Sequence, residues 1–350
     1  MASDNSLTTV VVGMSGGVDS SVAAYLLKQD GYKVIGLFMK NWDEEDDECP
    51  AAKDYQDVIA VCSMLDIPYY TINFVDEYYD HVFADFLEGL KMGITPNPDI
   101  FCNKEIKFKV FLDKAKEIGA DYLATGHWAK TGEGLLEKCS DDNKDQTYFL
   151  YTLKSKQLKQ VMFPLANLNK SRVREIAKEL NLITHDKKDS TGICFIGKRK
   201  FKDFIAKFIQ KEKGNFVDEN GKILGMHDGI AFYTIGQRKG LQVGGPGEAW
   251  YVAAKETSKN EILLVQGENH PMLLHDDLIA SSITWVSEPP VFPLDCTAKI
   301  RYRQDEQACT VTQLDDKLHV KFASAQRAVT PGQSIVFYKE NLCLGGAIIN

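Results

Sequence analysis

Residue order alone predicts an α/β fold: a doubly wound parallel-sheet domain built around a phosphate-binding loop, then a small β-rich central domain and a C-terminal antiparallel β-barrel. Three observations predict it. From Thr8 to about Gly126, short β-rich runs alternate with helical ones, the pattern of a parallel sheet covered on both faces. Between the first strand and the first helix stands the glycine-rich segment Gly13-Met14-Ser15-Gly16-Gly17-Val18-Asp19-Ser20. After about residue 200 the texture changes to short β runs broken by turn residues. A chain of 350 residues exceeds the usual size of one core and divides into two or three domains, with expected ranges 1–200, 201–272 and 273–350.

In chain order, the sheet strands are expected at 9–14, 34–39, 69–74 and 121–125. The first is a continuous apolar run, as a strand buried on both faces requires. A helix over 20–29 follows, with Val22, Ala23, Leu26 and Leu27 on its apolar side and Gly31 at its stop. Val58, Val61, Cys62 and Leu65 repeat at helical spacing, as do Tyr79, Val82, Phe83, Phe86, Leu87 and Leu90. A loop stiffened by Pro96 and Pro98 leads to a helix expected over 104–118. Turns at Glu219-Asn220-Gly221-Lys222 and Gly244-Gly245-Pro246-Gly247 punctuate the central region. The runs 283–286, 297–303, 309–313, 319–322 and 334–338 read as strands of a small barrel.

The loop carries the first chemical signal. Its glycines let backbone N–H groups converge on phosphate oxygens, and the helix start adds a favourable dipole. It lacks the lysine of a Walker A loop, Val18-Asp19 standing in that place, so it suits a pyrophosphate gripped by amides and hydroxyls. Asp19 can help hold a phosphate-bridging Mg²⁺. The plain alternative, a glycine turn entering a helix, does not account for six matching positions in strand-loop-helix context. The segment resembles the Ser-Gly-Gly-x-Asp-Ser signature of the PP-loop ATP pyrophosphatases, which implies ATP as substrate, transfer of AMP to a substrate oxygen and release of pyrophosphate.

Composition narrows the setting. No apolar run reaches the roughly 18 residues of a bilayer span, and the first nine residues lack signal-peptide character, so a cytoplasmic protein with no membrane association is expected. Eight cysteines stand singly, without zinc spacing, so neither a disulfide framework nor a structural metal is expected. For Cys62 on a helix face and Cys343 in an apolar strand, the expectation is a small buried hydrophobe. The net charge of −8 disfavours nucleic acid, yet charge is segregated. One acidic run covers 43–48, whereas 154–178 and 198–213 are basic stripes of a kind that solvated helix faces and phosphate-backbone sites share.

Two further cysteines sit in polar surroundings. Cys102 follows Asn97-Pro98-Asp99 beside the expected helix start, with Lys104 and Lys107 close behind, and Cys194 precedes Lys198-Arg199-Lys200. Cations and a helix N-terminus favour thiolates. Asp99 is placed to act as acid or base or to orient a substrate. A turn cysteine beside a surface carboxylate is the plainer reading of the first. Two such cysteines in one ATP-activating enzyme fit sulfur transfer through a persulfide.

With these residues in view the chain resembles the bacterial tRNA-specific 2-thiouridylase family. The likeness runs through the ATP loop, 97–108, Thr125-Gly126-His127, Lys144-Asp145-Gln146, 189–197, 236–241, Arg301-Tyr302-Arg303 and Thr330-Pro331-Gly332-Gln333, with no departure at a matched catalytic position. The resemblance implies adenylation of the C2 oxygen of a wobble uridine, then its replacement by persulfide sulfur. It implies Cys194 as persulfide carrier, Cys102 as the nucleophile that releases sulfur or closes a transient disulfide, and Asp99 as acid/base. Gly13 to Ser20, Met39 and Gly126 would line the ATP site. Asn97, Pro98 and Asp99 would meet the target base; His127, Lys144, Asp145, Gln146, Arg301, Tyr302 and Gln333 would contact tRNA, the barrel being a tRNA-binding domain. Implied partners are tRNAs for Lys, Glu and Gln and a sulfur donor, either a cysteine desulfurase or a sulfur-relay protein. For His127 a satisfied structural histidine, and for Arg301-Tyr302 an ordinary strand, are the plainer alternatives. A PP-loop ligase for a small metabolite would leave both cysteine loops without a role, and an RNA-binding module with a dead ATP fold would predict a damaged loop.

Overall fold

The computed structural model describes residues 5–42, 50–189 and 201–350. β1 (Thr9–Met14) is central to the first domain, its valines fully buried: Val10 and Val12 face one apolar layer and Val11 the other. Parallel to it lie β2 (Lys33–Lys40) and β3 (Tyr69–Asn73) on one side and β4 (Tyr122–Thr125) on the other. The chain then makes an antiparallel hairpin, β5 (Lys130–Gly132) and β6 (Leu135–Glu137), and returns as β7 (Val161–Met162) to complete the order β3-β2-β1-β4-β7. The strand direction reverses its spread between β1 and β4, the switch point where doubly wound sheets open a ligand crevice.

Helices α1 (Val18–Gln29) and α2 (Pro50–Met64) cover one face through Val22, Ala23, Leu27, Val58, Val61 and Cys62. The aromatic repeat over 79–90 packs the other face from consecutive helical segments Tyr79–Phe83 and Ala84–Lys91. One helix departs from expectation. Helical structure begins at Pro98, not at 104, and runs through Pro98–Phe101, Cys102–Val110 and Phe111–Glu117. The cause is local: the Asn97 side chain accepts from the N–H groups of Asp99 and Ile100, and proline fits the first helical position.

The central sheet contains β8 (Gly214–Val217), β9 (Ile223–His227), β10 (Trp250–Glu256) and β11 (Glu261–Gln266) in the order β10-β11-β8-β9. The barrel has six strands: β12 (Leu274–Trp285), β13 (Leu294–Lys299), β14 (Gln307–Leu314), β15 (Lys317–Arg327), β16 (Ser334–Lys339) and β17 (Leu342–Ile349). β12 pairs with both β15 and β17, which closes the ring around Ala280, Val311, Val320, Ile335, Phe337 and Ala347. Cys62 and Cys343 are buried hydrophobes as expected, and burial pushes the Cys62 thiol up to about 11. Although single in sequence, Cys296 and Cys309 face each other across β13 and β14 with sulfurs 3.8 Å apart.

The barrel is tied to the first domain. β6 pairs with β17 at Glu137 and Leu342, Lys138 N–H donates to the Asn341 carbonyl at 2.8 Å, and the buried Tyr148 hydroxyl donates to the Ser334 carbonyl at 2.8 Å. Among the described residues no helix is long and apolar enough to cross a membrane. Tyr148→Phe leaves that carbonyl buried without its donor, so the urea-denaturation midpoint should fall by the equivalent of about 1–3 kcal/mol; an unchanged midpoint would show that the domains do not rely on this bond.

Candidate functional site

The carboxyl ends of three adjacent strands build the site. β1 delivers Gly13 and Met14; Ser15, Gly16 and Gly17 turn the chain; Val18, Asp19 and Ser20 form the first turn of α1. The two serines brace the loop: Ser15 N–H donates to Ser20 Oγ at 3.2 Å, and Ser20 Oγ donates to the Gly17 carbonyl at 3.2 Å. Gly16 has φ +69°, and a Cβ there would lie 2.5 Å from the Asp54 carbonyl oxygen. Gly126, just beyond β4, lies so close to α1 that a Cβ would sit 2.7 Å from Ser20 N. Among the described residues no side chain caps α1, so its leading amides are left for an anion, and the residues present fit the polyphosphate of ATP.

Around the loop is a charge network that no local pattern announced. Lys170, at the start of helix Lys170–Glu179 and 11% exposed, bridges Asp19 at 2.6 Å and Asp189 at 2.8 Å. Trp128 Nε1 donates to the other Asp19 oxygen at 3.2 Å. Asp189 also receives Lys144 at 2.8 Å and Arg174 at 2.9 Å. Burial acts to raise the Asp189 pKa, but the hydrogen bonds from Lys144 and Lys170 outweigh it and bring it down to about 2. Lys187 donates to the Gly16 carbonyl at 2.8 Å while pairing with Asp54 and Asp57 at 2.7 and 2.5 Å. Both oxygens of Asp19 therefore have protein partners. Among the described residues no group of three His, Cys, Asp or Glu side chains is arranged for a metal.

At the end of β2, Met39 is buried within the apolar cluster. Two residues on, Asn41 is 1% exposed with neither amide atom hydrogen-bonded. Sequence reasoning passed over Asn41; a polar residue ending an apolar strand beside Met39 was the available signal. Lys170, Trp128 and Lys187 were also missed as loop partners, and Arg174 as a partner of Asp189.

Cys102 is fully buried and lies one turn inside its helix, not in an exposed loop at a helix start. Asn97 caps that helix, Pro98 is buried at its first position and Asp99 is half-buried at its second. Cys194, and with it 190–200, lies outside the described residues. Between the loop and the Cys102 helix stands His127, whose ring packs between Phe108 and Phe163 and whose Nδ1 lies 2.8 Å from Thr125 Oγ1. Burial, with Lys107 nearby, holds its pKa well below the usual histidine range, so the imidazole is neutral at physiological pH.

The remaining predicted RNA contacts are placed as follows. Asp145 is buried, accepting from Thr147 Oγ1 at 2.5 Å and Cys139 N–H at 3.2 Å, and Gln146 Oε1 accepts from Trp128 N–H at 2.9 Å. Tyr302 packs against Phe149 with ring centroids 4.4 Å apart and planes tilted by 50°, and its hydroxyl reaches the Lys144 carbonyl at 3.5 Å. Arg301 turns inward to the carbonyls of Arg327 and Ala328, at 3.1 and 2.5 Å. Gln333 donates to the Thr95 carbonyl at 2.6 Å, two residues before Asn97. Of the basic stripes, Arg172, Arg174 and Lys202 are engaged with carboxylates, while Lys156, Lys159, Lys207, Lys211 and Lys213 are exposed.

Two outcomes follow. Gly126→Ala should push α1 away from β4 and weaken ATP binding at least tenfold in equilibrium dialysis; unchanged affinity would remove the close approach from the site. A histidine whose pKa is depressed on folding binds its proton preferentially in the unfolded chain, so stability is present above about 6.5 and declines as pH falls below it. His127→Gln should flatten that decline in thermal melts between pH about 6.5 and 5; an equally steep decline would show that other groups cause it.

The tRNA methyl transferase HUP domain family matches residues 8–198, the tRNA methyl transferase PRC-barrel domain family residues 202–266, and the aminomethyltransferase beta-barrel domain family residues 275–349. A tRNA-specific 2-thiouridylase MnmA of Protochlamydia amoebophila is 54% identical, the match covering 97% of this chain and 93% of that one. Another, from Francisella philomiragia, is 55% identical over 97% of this chain and 98% of its own. With identity at this level sustained across all three domains, the chain belongs to the tRNA-specific 2-thiouridylase family.

Proposed function

We propose that this chain is an ATP-dependent tRNA-uridine 2-sulfurtransferase that converts a wobble uridine to 2-thiouridine. The observation that supports it most is the full-length relatedness to proteins named for that reaction, at 54–55% identity. An intact, anion-ready loop agrees with it.

In this reading the amides of residues 15 to 20 hold the polyphosphate, with Met39 and Gly126 against the rest of the nucleotide. Asp19 is the residue that would stand beside a Mg²⁺ bound with ATP, and such an ion would supply charge neutralisation to the phosphates. The uridine C2 oxygen attacks the α-phosphorus, and the C2–O–AMP so formed has a far better leaving group than an oxo oxygen. The terminal sulfur of a Cys194 persulfide then adds at C2 and AMP departs. The Cys102 thiolate attacks the Cys194 sulfur, breaking the S–S bond so that the terminal sulfur stays on C2, and the resulting Cys102–Cys194 disulfide is reduced by a cellular thiol before the next cycle.

The base must leave the anticodon stack for its edge to be reached. Asn97-Pro98-Asp99 is proposed to receive it, Asp99 serving as acid/base and Asn97 and Pro98 acting by fixing the helix that carries Asp99 and Cys102. His127, neutral, offers a flat apolar face with one polar edge rather than a cation. Lys144, Gln146, Tyr302 and Gln333 belong to the RNA-facing margin, with Asp145 and Arg301 supporting it from inside. tRNAs for Lys, Glu and Gln, a persulfide donor of the cysteine desulfurase or relay type, and a cytoplasmic location complete the reading.

Deleting the gene should abolish wobble 2-thiouridine in bulk tRNA measured by mass spectrometry, and neither Cys102→Ser nor Cys194→Ser should restore it. Persistence of the modification in a host with no redundant enzyme would sink the proposal, and full activity of Cys194→Ser would remove the persulfide assignment alone. Gly16→Ala, strained at φ +69° and forced against Asp54, should lose ATP–pyrophosphate exchange.

A further inference from the structure

Where the three domains meet, a cavity of about 160 Å³ opens between residues 92–95 of the first domain, Lys255 and Thr257 of the central domain, and Thr330 and Pro331 of the barrel. Such a space holds several waters at ~30 Å³ each, or a tetrahedral anion. Its polar groups are unusual. Lys255 extends from β10 and donates to the Gly93 carbonyl at 2.9 Å, and among the described residues it has no carboxylate partner; burial alone lowers it to about 8. In the same cavity lining the Thr95 hydroxyl is buried with no hydrogen-bond partner among the described residues. Thr257 is exposed at the rim. A part-buried ammonium without a counter-charge and an unsatisfied buried hydroxyl are both costly, and both are completed by one group: an oxyanion that accepts from each.

We propose that this junction binds one phosphate group of an RNA backbone, held by the Lys255 ammonium and the hydroxyls of Thr95 and Thr257. The proposal rests on the tRNA-modifying reading above. An RNA source is favoured by position. The segment that lines the cavity is the one that runs directly into Asn97-Pro98-Asp99, and the barrel fastens the same segment: Thr95 N–H donates to the Pro331 carbonyl at 2.9 Å and Gln333 Nε2 to the Thr95 carbonyl at 2.6 Å. A backbone phosphate seated here would couple RNA docking on the central domain and barrel to the placement of the helix that carries Asp99 and Cys102. ATP's own phosphates have the separate loop at residues 13–20.

The test measures binding of a transcribed substrate tRNA to the full-length protein over a range of salt concentrations, for wild type, Lys255→Met, Lys255→Arg and Thr95→Val. Losing one phosphate contact should flatten the slope of log K against log salt by about 0.7–0.9, with several-fold weaker binding at low salt. Lys255→Arg should restore the slope; Thr95→Val should weaken binding while removing no charge. In parallel, each protein is titrated with inorganic phosphate. If Lys255→Met lowers affinity with the slope unchanged, the lysine only braces the segment and the proposal is overturned. If the site saturates with millimolar inorganic phosphate while the tRNA slope ignores Lys255, the ligand is a free anion and the RNA assignment falls. Should Lys255→Met fail to fold, the wild-type response compared with Thr95→Val and Lys255→Arg decides, equal affinities and slopes in all three overturning the site. Absence of tRNA binding by wild type, with ATP–pyrophosphate exchange intact, would instead count against the tRNA reading itself.

Discussion

The contact on which the site depends is the bridge from Asp19 through Lys170 to Asp189. Its three charges lie far apart in sequence, in the phosphate loop, at a helix start and after the last turn of the first domain. An isolated surface pair of this kind would be worth little. Here the lysine is almost covered and shared between two carboxylates, and Asp189 is held by Lys144 and Arg174 as well, so the pairs act as one network rather than as isolated surface contacts. The network fixes Asp19 beside the anion-binding end of α1. It also anchors the chain at residue 189, immediately before the segment that carries Cys194.

From that anchor the site spreads across domain boundaries. The Lys144 carbonyl meets Tyr302 of the barrel, and the barrel's Gln333 grips the residue two places before the Asn97 cap. The same few residues thus serve shape and chemistry together. Asn97 shows this best: its side-chain oxygen is committed to two helix amides, so it fixes the start of the helix that carries Asp99 and Cys102.

Where a local pattern exists, the sequence was readable. The apolar run of β1, the glycines of the loop and the helical repeats of α1 and α2 follow from periodicity and backbone sterics, and the structure has them within a residue or two. The helix carrying Cys102 was placed six residues late because Pro96 and Pro98 read as loop; with asparagine before it, the second proline is a helix start. β7 was missed because two residues cannot show a period, and the β6–β17 pairing because it joins segments remote in sequence. Lys170 shared that invisibility: nothing local distinguishes a lysine on a solvated helix face from one that reaches across to the glycine-rich loop. The family resemblance supplied roles for Cys102 and Asp99 but not their burial.

The hairpin of β5 and β6 has a bearing on the order in which this chain can be finished. The strand it joins, β17, follows it in the chain by about 200 residues, so the ribosome makes the hairpin well before its partner. Until then the outer edge of β6 has no partner, and the barrel itself cannot close because β12 also waits for β17. An unpaired edge held open over that interval is a point at which nascent chains can associate wrongly. The brevity of β6 and the charges of Glu137 and Lys138 keep that edge a poor template for strangers while leaving it able to accept β17.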